Sequence, residues 1–160
     1  MKISSSLLIL TFISLSVFSQ PIAVSRQEAY TRGIDVKTLD SLYQSAVHID
    51  STQAVFKPAK LQEKMYQEYV KLLESLGDYL ETHKFVWTKP IACFNRIYFD
   101  MNGAIDYYIY SFRGKPEDML SPEQELEFNR LLNEFIQEYK VDLKADRPFA
   151  QCSPSTFMPR

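Results

Sequence analysis

The sequence contains few of the residues from which reaction centres are built. Its 160 residues include only two histidines, two cysteines and four glycines. The glycines are scattered, which excludes a glycine-rich phosphate loop, and neither the histidines nor the cysteines have the spacing of a zinc site. The turn at Asp100 lacks the later ligands of an EF-hand loop. We therefore expect no catalytic residues, no metal and no cofactor.

Basic side chains are also too few and too dispersed for a nucleic-acid surface. The chain has 18 lysines and arginines against 20 aspartates and glutamates, a formal net charge of −2 at pH 7. No basic run or stripe is present to neutralise a series of phosphates. We expect no nucleic-acid partner.

Residues 1–19 have the features of an export signal. Lys2 supplies the positive start, an apolar stretch runs from Leu7 to Phe18, and a small-residue cleavage site ends at Ser19. The apolar stretch is short and rich in serine and threonine, so we expect no retained membrane span. The mature protein is then predicted to be periplasmic or secreted. An uncleaved anchor is the alternative interpretation.

The rest of the chain predicts one domain, residues 34–160, behind a loose leader at residues 20–33 with little apolar periodicity. Three helices are expected. Asp35 is the predicted N-cap of a short first helix, and an apolar stripe from Leu61 to Leu80 predicts a long second helix that follows Pro58. A capping box at Ser121 with proline next to it predicts the start of the third.

A β-hairpin is predicted over residues 94–112, because two arms rich in aromatic and β-branched residues flank Asp100-Met101-Asn102-Gly103. Residues 147–157 predict a last strand beside the first arm. The predicted fold is α+β: a small antiparallel sheet, made of the hairpin and a C-terminal strand, packed with three helices in the order α-α-β-β-α-β.

Cys93 and Cys152 are the only cysteines of a chain predicted to be exported. In an oxidising compartment such a pair favours a disulfide, and the predicted strand order makes the two residues cross-strand neighbours. Two buried free thiols are the alternative.

Strict alternation along the two arms places Phe94, Tyr98, Tyr108 and Tyr110 on one face of the hairpin. The opposite face, with Ile97, Ile105 and Ile109, is the better core candidate. The aromatic face is thus a candidate binding platform for a partner peptide or a sugar ring, since tyrosine combines apolar area with a hydrogen-bonding tip. The alternative is that a helix covers this face.

The hairpin from Arg96 to Asp106, the helix over residues 123–139 and the strand over residues 149–157 together resemble the carboxy-terminal domain of TonB-type periplasmic proteins. The resemblance covers the C-terminal half. It implies a non-catalytic module that binds an envelope protein or peptide of a Gram-negative bacterium, by adding a strand to the sheet edge. The long proline-rich spacer of the energy transducers is not seen here, so energy transduction is not implied.

Two other functions are compatible with the sequence. His48-Ile49-Asp50-Ser51 has the residue types of a small secreted hydrolase, although consecutive residues rarely converge into a triad. A ligand carrier would instead hold a large apolar void between the helices and the sheet. A pocket with a titratable residue would favour the hydrolase.

Overall fold

A computed structural model describes residues 20–159, which form an α+β fold with five strands and four α-helices. The predicted signal at residues 1–19 lies outside the described residues. The elements, in chain order, are β1 (Ile22–Ser25), α1 (Arg26–Thr31), α2 (Val36–Leu42), β2 (Gln44–Ser45), α3 (Ala59–Thr82), β3 (Ile91–Phe99), β4 (Ile105–Arg113), α4 (Pro122–Glu138) and β5 (Phe149–Phe157).

The predicted hairpin is confirmed as the centre of the sheet. Strands β3 and β4 pair antiparallel, and β5 pairs antiparallel with the other side of β3. The sheet is larger than predicted, however, because β1 adds in parallel to β4 and β2 adds in parallel to β5. The order is β1-β4-β3-β5-β2, so the sheet is mixed rather than purely antiparallel.

Three helices begin where the sequence predicts. The Asp35 side chain accepts from the amide of Lys37 at the start of α2, and Ser121 and Gln124 form a reciprocal capping box at the start of α4. Helix α3 has 24 residues and begins after Pro58. These helices form because a local start signal precedes an apolar stripe at helical spacing.

Residues 20–33 are not a loose leader over most of their length. They contain β1 and the fourth helix, α1, for which the Ser25 hydroxyl accepts from the amide of Glu28 at 3.2 Å. Both main-chain groups of Ala23 bind the side-chain amide of Asn133 on α4, at 2.9 and 2.7 Å. These two short elements are therefore held by contacts with β4 and α4, which are distant in sequence.

Helices α3 and α4 cover one side of the sheet, here called the first face. The core between them is largely aliphatic and aromatic, with Leu72, Leu76, Phe128, Leu132 and Ile97 completely buried.

Asn95 on β3 is the polar exception in this core and is also completely buried. Its amide nitrogen donates to the Tyr69 hydroxyl at 3.1 Å and to the Ser155 hydroxyl at 2.8 Å, and its oxygen accepts from Tyr108 at 3.1 Å. These hydrogen bonds offset the cost of burying the amide.

The predicted Cys93–Cys152 disulfide is wrong. Cys93 pairs with Ser155, and Cys152 pairs with Arg96, so the two cysteines are offset by three residues, about 10 Å along the strands. The odd offset also places their side chains on opposite faces of the sheet. Cys93 is buried in the core and Cys152 is exposed, and both are free thiols.

Within residues 20–159, no helix combines the length and the apolar character that a membrane crossing needs.

Candidate functional site

The four aromatic residues predicted to form one binding face lie on two faces. The β3–β4 register shifts by one residue, with Tyr98 opposite Tyr107 and Phe99 opposite Ile105. Asp106 is therefore the extra residue of a β-bulge, and every later residue of β4 is on the face opposite to that predicted. Tyr108 and Tyr110 are consequently buried in the first-face core.

Tyr98 and Phe94 lie on the opposite side of the sheet, the second face. Tyr98 is completely buried against α2, where its hydroxyl donates to Asp40 at 2.8 Å. Burial, and then the hydrogen bond to Asp40, raise the pKa of Tyr98. Phe94 alone of the four is half-buried on the second face, so the proposed four-residue platform is not formed.

The covered half of the second face has a small core of its own. Val24, Ala29, Leu39 and Ile109 pack with Tyr98 beneath α1 and α2. At its border, Nη1 of Arg96 binds both carboxylate oxygens of Asp40, at 3.0 and 2.7 Å. This ion pair joins α2 to the centre of the sheet.

An open cleft of about 580 Å³ lies on the second face, lined by residues of α1, α2, β3 and β4. The exposed ring of Tyr30 and the side chains of Ile34, Val36 and Ile109 give it an apolar lining. Charged residues are also present along it: Arg26, Asp35, Lys37, Asp40 and Arg96. Binding clefts combine apolar surface with polar groups that orient the ligand, and this cleft has both.

A smaller hollow of about 110 Å³ adjoins this cleft and shares Arg26, Arg96 and Ile109 with it. Phe94 is one of its lining residues. The guanidinium carbon of Arg113 is 4.9 Å from the centre of the Phe94 ring, and that of Arg96 is 5.8 Å away. Both distances allow a cation–π interaction, which holds the two guanidinium groups close to one ring.

The outer edge of β1 is covered. The side-chain amide of Asn133 binds the amide and the carbonyl of Ala23, as a neighbouring strand would. An incoming strand would have to displace Asn133 there.

Among residues 20–159, no strand pairs with the outer edge of β5 beyond Ala150, but this edge contains a proline. The amide of Ala46 donates to the Ala150 carbonyl at 2.7 Å, so the main-chain groups of Ala150 point away from β3. Because this direction alternates along a strand, those of Cys152, Pro154 and Thr156 point outward as well. Proline has no N–H, so the middle of this edge lacks a donor. Both edges are thus partly protected against strand addition, which makes the cleft the better candidate site.

The residues of the alternative hydrolase site are only partly brought together: His48 and Ser51 line one open hollow of about 550 Å³, but Asp50 does not. Nδ1 of His48 accepts from the amide of Asp50 at 3.0 Å, and the Asp50 carboxylate caps a turn by accepting from the amide of Thr52. Hydrogen bonds to Gln53 and Thr52 lower the pKa of Asp50. The pattern is explained as a local turn. Among residues 20–159, no three histidine, cysteine, aspartate or glutamate side chains are grouped as metal ligands would be.

The arginines and Tyr30 were not identified as site residues from the sequence. Arg26 and Tyr30 belong to the segment interpreted as a leader, although Ser25-Arg26-Gln27-Glu28 fits the capping pattern of a helix start. Arg96 and Arg113 lie near the same ring because of the β3–β4 register, and the sequence pattern alone does not predict that register.

The sequence matches no family model and no curated protein, and the fold matches no solved structure. The resemblance to TonB carboxy-terminal domains therefore stays a prediction.

Proposed function

We propose that this chain is a non-catalytic, TonB-like binding module of the bacterial envelope, exported to the periplasm or beyond, which holds a segment of a partner protein in the second-face cleft. The observation that carries the proposal is the cleft itself, with an exposed aromatic ring and an apolar lining beside charged side chains. A partner peptide would bury the apolar lining and use the charged groups for orientation.

Tyr30 is the best anchor for such a partner. Its side chain is 82% exposed although the residue belongs to a short helix whose Ala29 is fully buried. Tyrosine and arginine are enriched among the residues that dominate binding energy at protein interfaces. In the free chain the Tyr30 ring, beside Ile34 and Val36, is exposed to water, so a partner could bury this apolar surface on binding.

Photo-crosslinking in the cells that produce the chain tests this proposal. A photoreactive amino acid is placed at position 30 or, as a matched control, at position 66, where Tyr66 on α3 is 61% exposed and does not line the cleft. We expect one defined protein adduct in the envelope fraction from position 30 and none from position 66. No adduct from position 30, or the same adducts from both positions, would reject the cleft as the binding site.

Two measurements extend the test. With the captured partner in hand, Tyr30→Ala should weaken binding by about 2 kcal/mol, the loss typical of an interface hot spot, and Tyr66→Ala should not. An N-terminal sequence of the exported chain beginning at Gln20 would support the predicted export. Recovery of the chain in the cytosol with its first 19 residues would contradict it.

A further inference from the structure

The hollow beside the cleft brings together three arginines from three elements. Arg26 is the first residue of α1, Arg96 is in β3 and Arg113 is the last residue of β4. None of the other described residues that line the hollow, Phe94, Ile109, Tyr110 and Ser111, is acidic. This concentration of positive charge contrasts with the net charge of −2 of the chain.

The positive charge of this hollow is mostly uncompensated. Asp40 forms an ion pair with Arg96 but does not line the hollow. Within the described part of the chain, Arg26 and Arg113 form no ion pair, in contrast to Arg32, Arg130 and Arg147. Like charges held close together repel each other, and an anion placed between them would relieve that repulsion.

We propose that Arg26, Arg96 and Arg113 bind a carboxylate of the partner protein, from an acidic side chain or the C-terminus. The assignment rests on the proposed function, because a polypeptide carries its negative charge on carboxylates. The guanidinium group is suited to them, since its planar arrangement of donors matches two carboxylate oxygens.

The dimensions agree with this assignment. A hollow of about 110 Å³ has room for a carboxylate group. The rest of the bound segment would extend into the adjoining cleft, over Ile109 and toward Ile34. The hollow would thus bind the carboxylate of the partner, and the cleft would bind the apolar residues next to it.

A titration of the purified full chain with hexanoate tests the proposal, because hexanoate combines a carboxylate with an apolar tail. Hexanamide, similar in shape but uncharged, is the matched control ligand. We expect hexanoate, and not hexanamide, to shift the side-chain Nε–H NMR signals of Arg26, Arg96 and Arg113. Arg26→Gln and Arg113→Gln should each weaken hexanoate binding about tenfold, the loss expected for one charge-assisted hydrogen bond.

The control variant is Arg130→Gln, which removes the same charge from the exposed side of α4. It should leave hexanoate binding unchanged. An equal loss in Arg130→Gln would show attraction to overall charge and would overturn the proposal, as would the absence of saturable binding. Tighter binding of inorganic phosphate than of hexanoate would overturn the carboxylate assignment.

The titration needs no partner, so its failure is distinct from failure of the proposed function. Crosslinking at position 30 without hexanoate binding would remove the carboxylate assignment alone. Specific hexanoate binding without any crosslinked protein would remove the protein partner and leave a binding site for small carboxylates.

Discussion

Gly103 occupies a position in the hairpin turn that no other residue fits. Its φ is +82°, and a Cβ atom there would lie 2.5 Å from the carbonyl oxygen of Val141 and 2.8 Å from that of Leu143. The turn cannot move away easily, because the Gly103 carbonyl accepts from the amide of Val141 and the Met101 carbonyl from that of Ala145. The Asn-Gly pair that predicts the turn therefore also allows residues 141–145 to pack against it.

We expect Gly103→Ala to lower the free energy of unfolding by about 3 kcal/mol or more, since backbone strain and steric overlap add. Gly33→Ala is the matched control. Gly33 also has a positive φ, +71°, but nothing lies within 4 Å of its added Cβ, so the loss should be about 1 kcal/mol. Urea unfolding measures both, and equal losses would contradict the packing argument.

Asn95 is the second residue on which the core depends. Asn95→Ala removes a buried amide and leaves the hydroxyls of Tyr69 and Tyr108 without it as a partner. We expect a loss of about 2–4 kcal/mol in the free energy of unfolding, because unsatisfied buried polar groups cost about 1–3 kcal/mol each. Tyr108→Phe removes a single hydroxyl from the same network and should cost about 1 kcal/mol. A loss from Asn95→Ala no larger than that from Tyr108→Phe would contradict this role.

The two cysteines should differ in reactivity. Burial raises the pKa of Cys93 to about 12, so this thiol stays protonated and inaccessible at neutral pH. Alkylation of the native chain without reductant should therefore modify Cys152 alone, and alkylation in denaturant should modify both. Mass spectrometry detects the difference. A chain that gains no alkyl group in denaturant without reductant would have the disulfide that the geometry excludes.

At the scale of the elements, a helix or strand could be predicted when the contacts that form it lie within its own residues. Helices α2, α3 and α4 and the hairpin carry their start signals and their periodicity within their own residues, and all were predicted. Strand β2 has only two residues, and β1 has four, too few for alternation to be visible. The bulge at Asp106 reverses the faces of β4 without a proline or glycine at that position to indicate it.

The attachment of β1 gives a prediction at this scale. Asn133 binds both the amide and the carbonyl of Ala23. Asn129, on the same helix, binds only the carbonyl of Ala23, and it also donates to the Tyr110 hydroxyl. Asn133→Ala should therefore raise amide hydrogen exchange in residues 22–25 at least tenfold, with little change in β3 and β5. Asn129→Ala should have a smaller effect. Uniform acceleration across the sheet would indicate global destabilisation instead.

At the scale of the whole molecule, the fold class and the pairing of β5 with β3 could be predicted, and most of the candidate site could not. Of the four predicted binding residues, Phe94 and Tyr110 line the hollow, and none lines the cleft. The other site residues come together because of the β3–β4 register and because residues 20–33 pack against the sheet. Both features depend on contacts between residues distant in sequence, which the local sequence pattern does not reveal.

Removal of the N-terminal segment tests that conclusion directly. A chain beginning at Ile34 loses β1 and α1, and with them Ala23, Val24 and Ala29, all completely buried. We expect its free energy of unfolding to fall by at least about 3 kcal/mol relative to a chain beginning at Gln20, since burial of one valine side chain contributes about 1.5–3 kcal/mol. The shortened chain should also lose hexanoate binding, because Arg26 is absent. Equal stability of the two chains would mean that residues 20–33 are the loose leader that the sequence predicts, and the cleft would then have no fixed wall on that side.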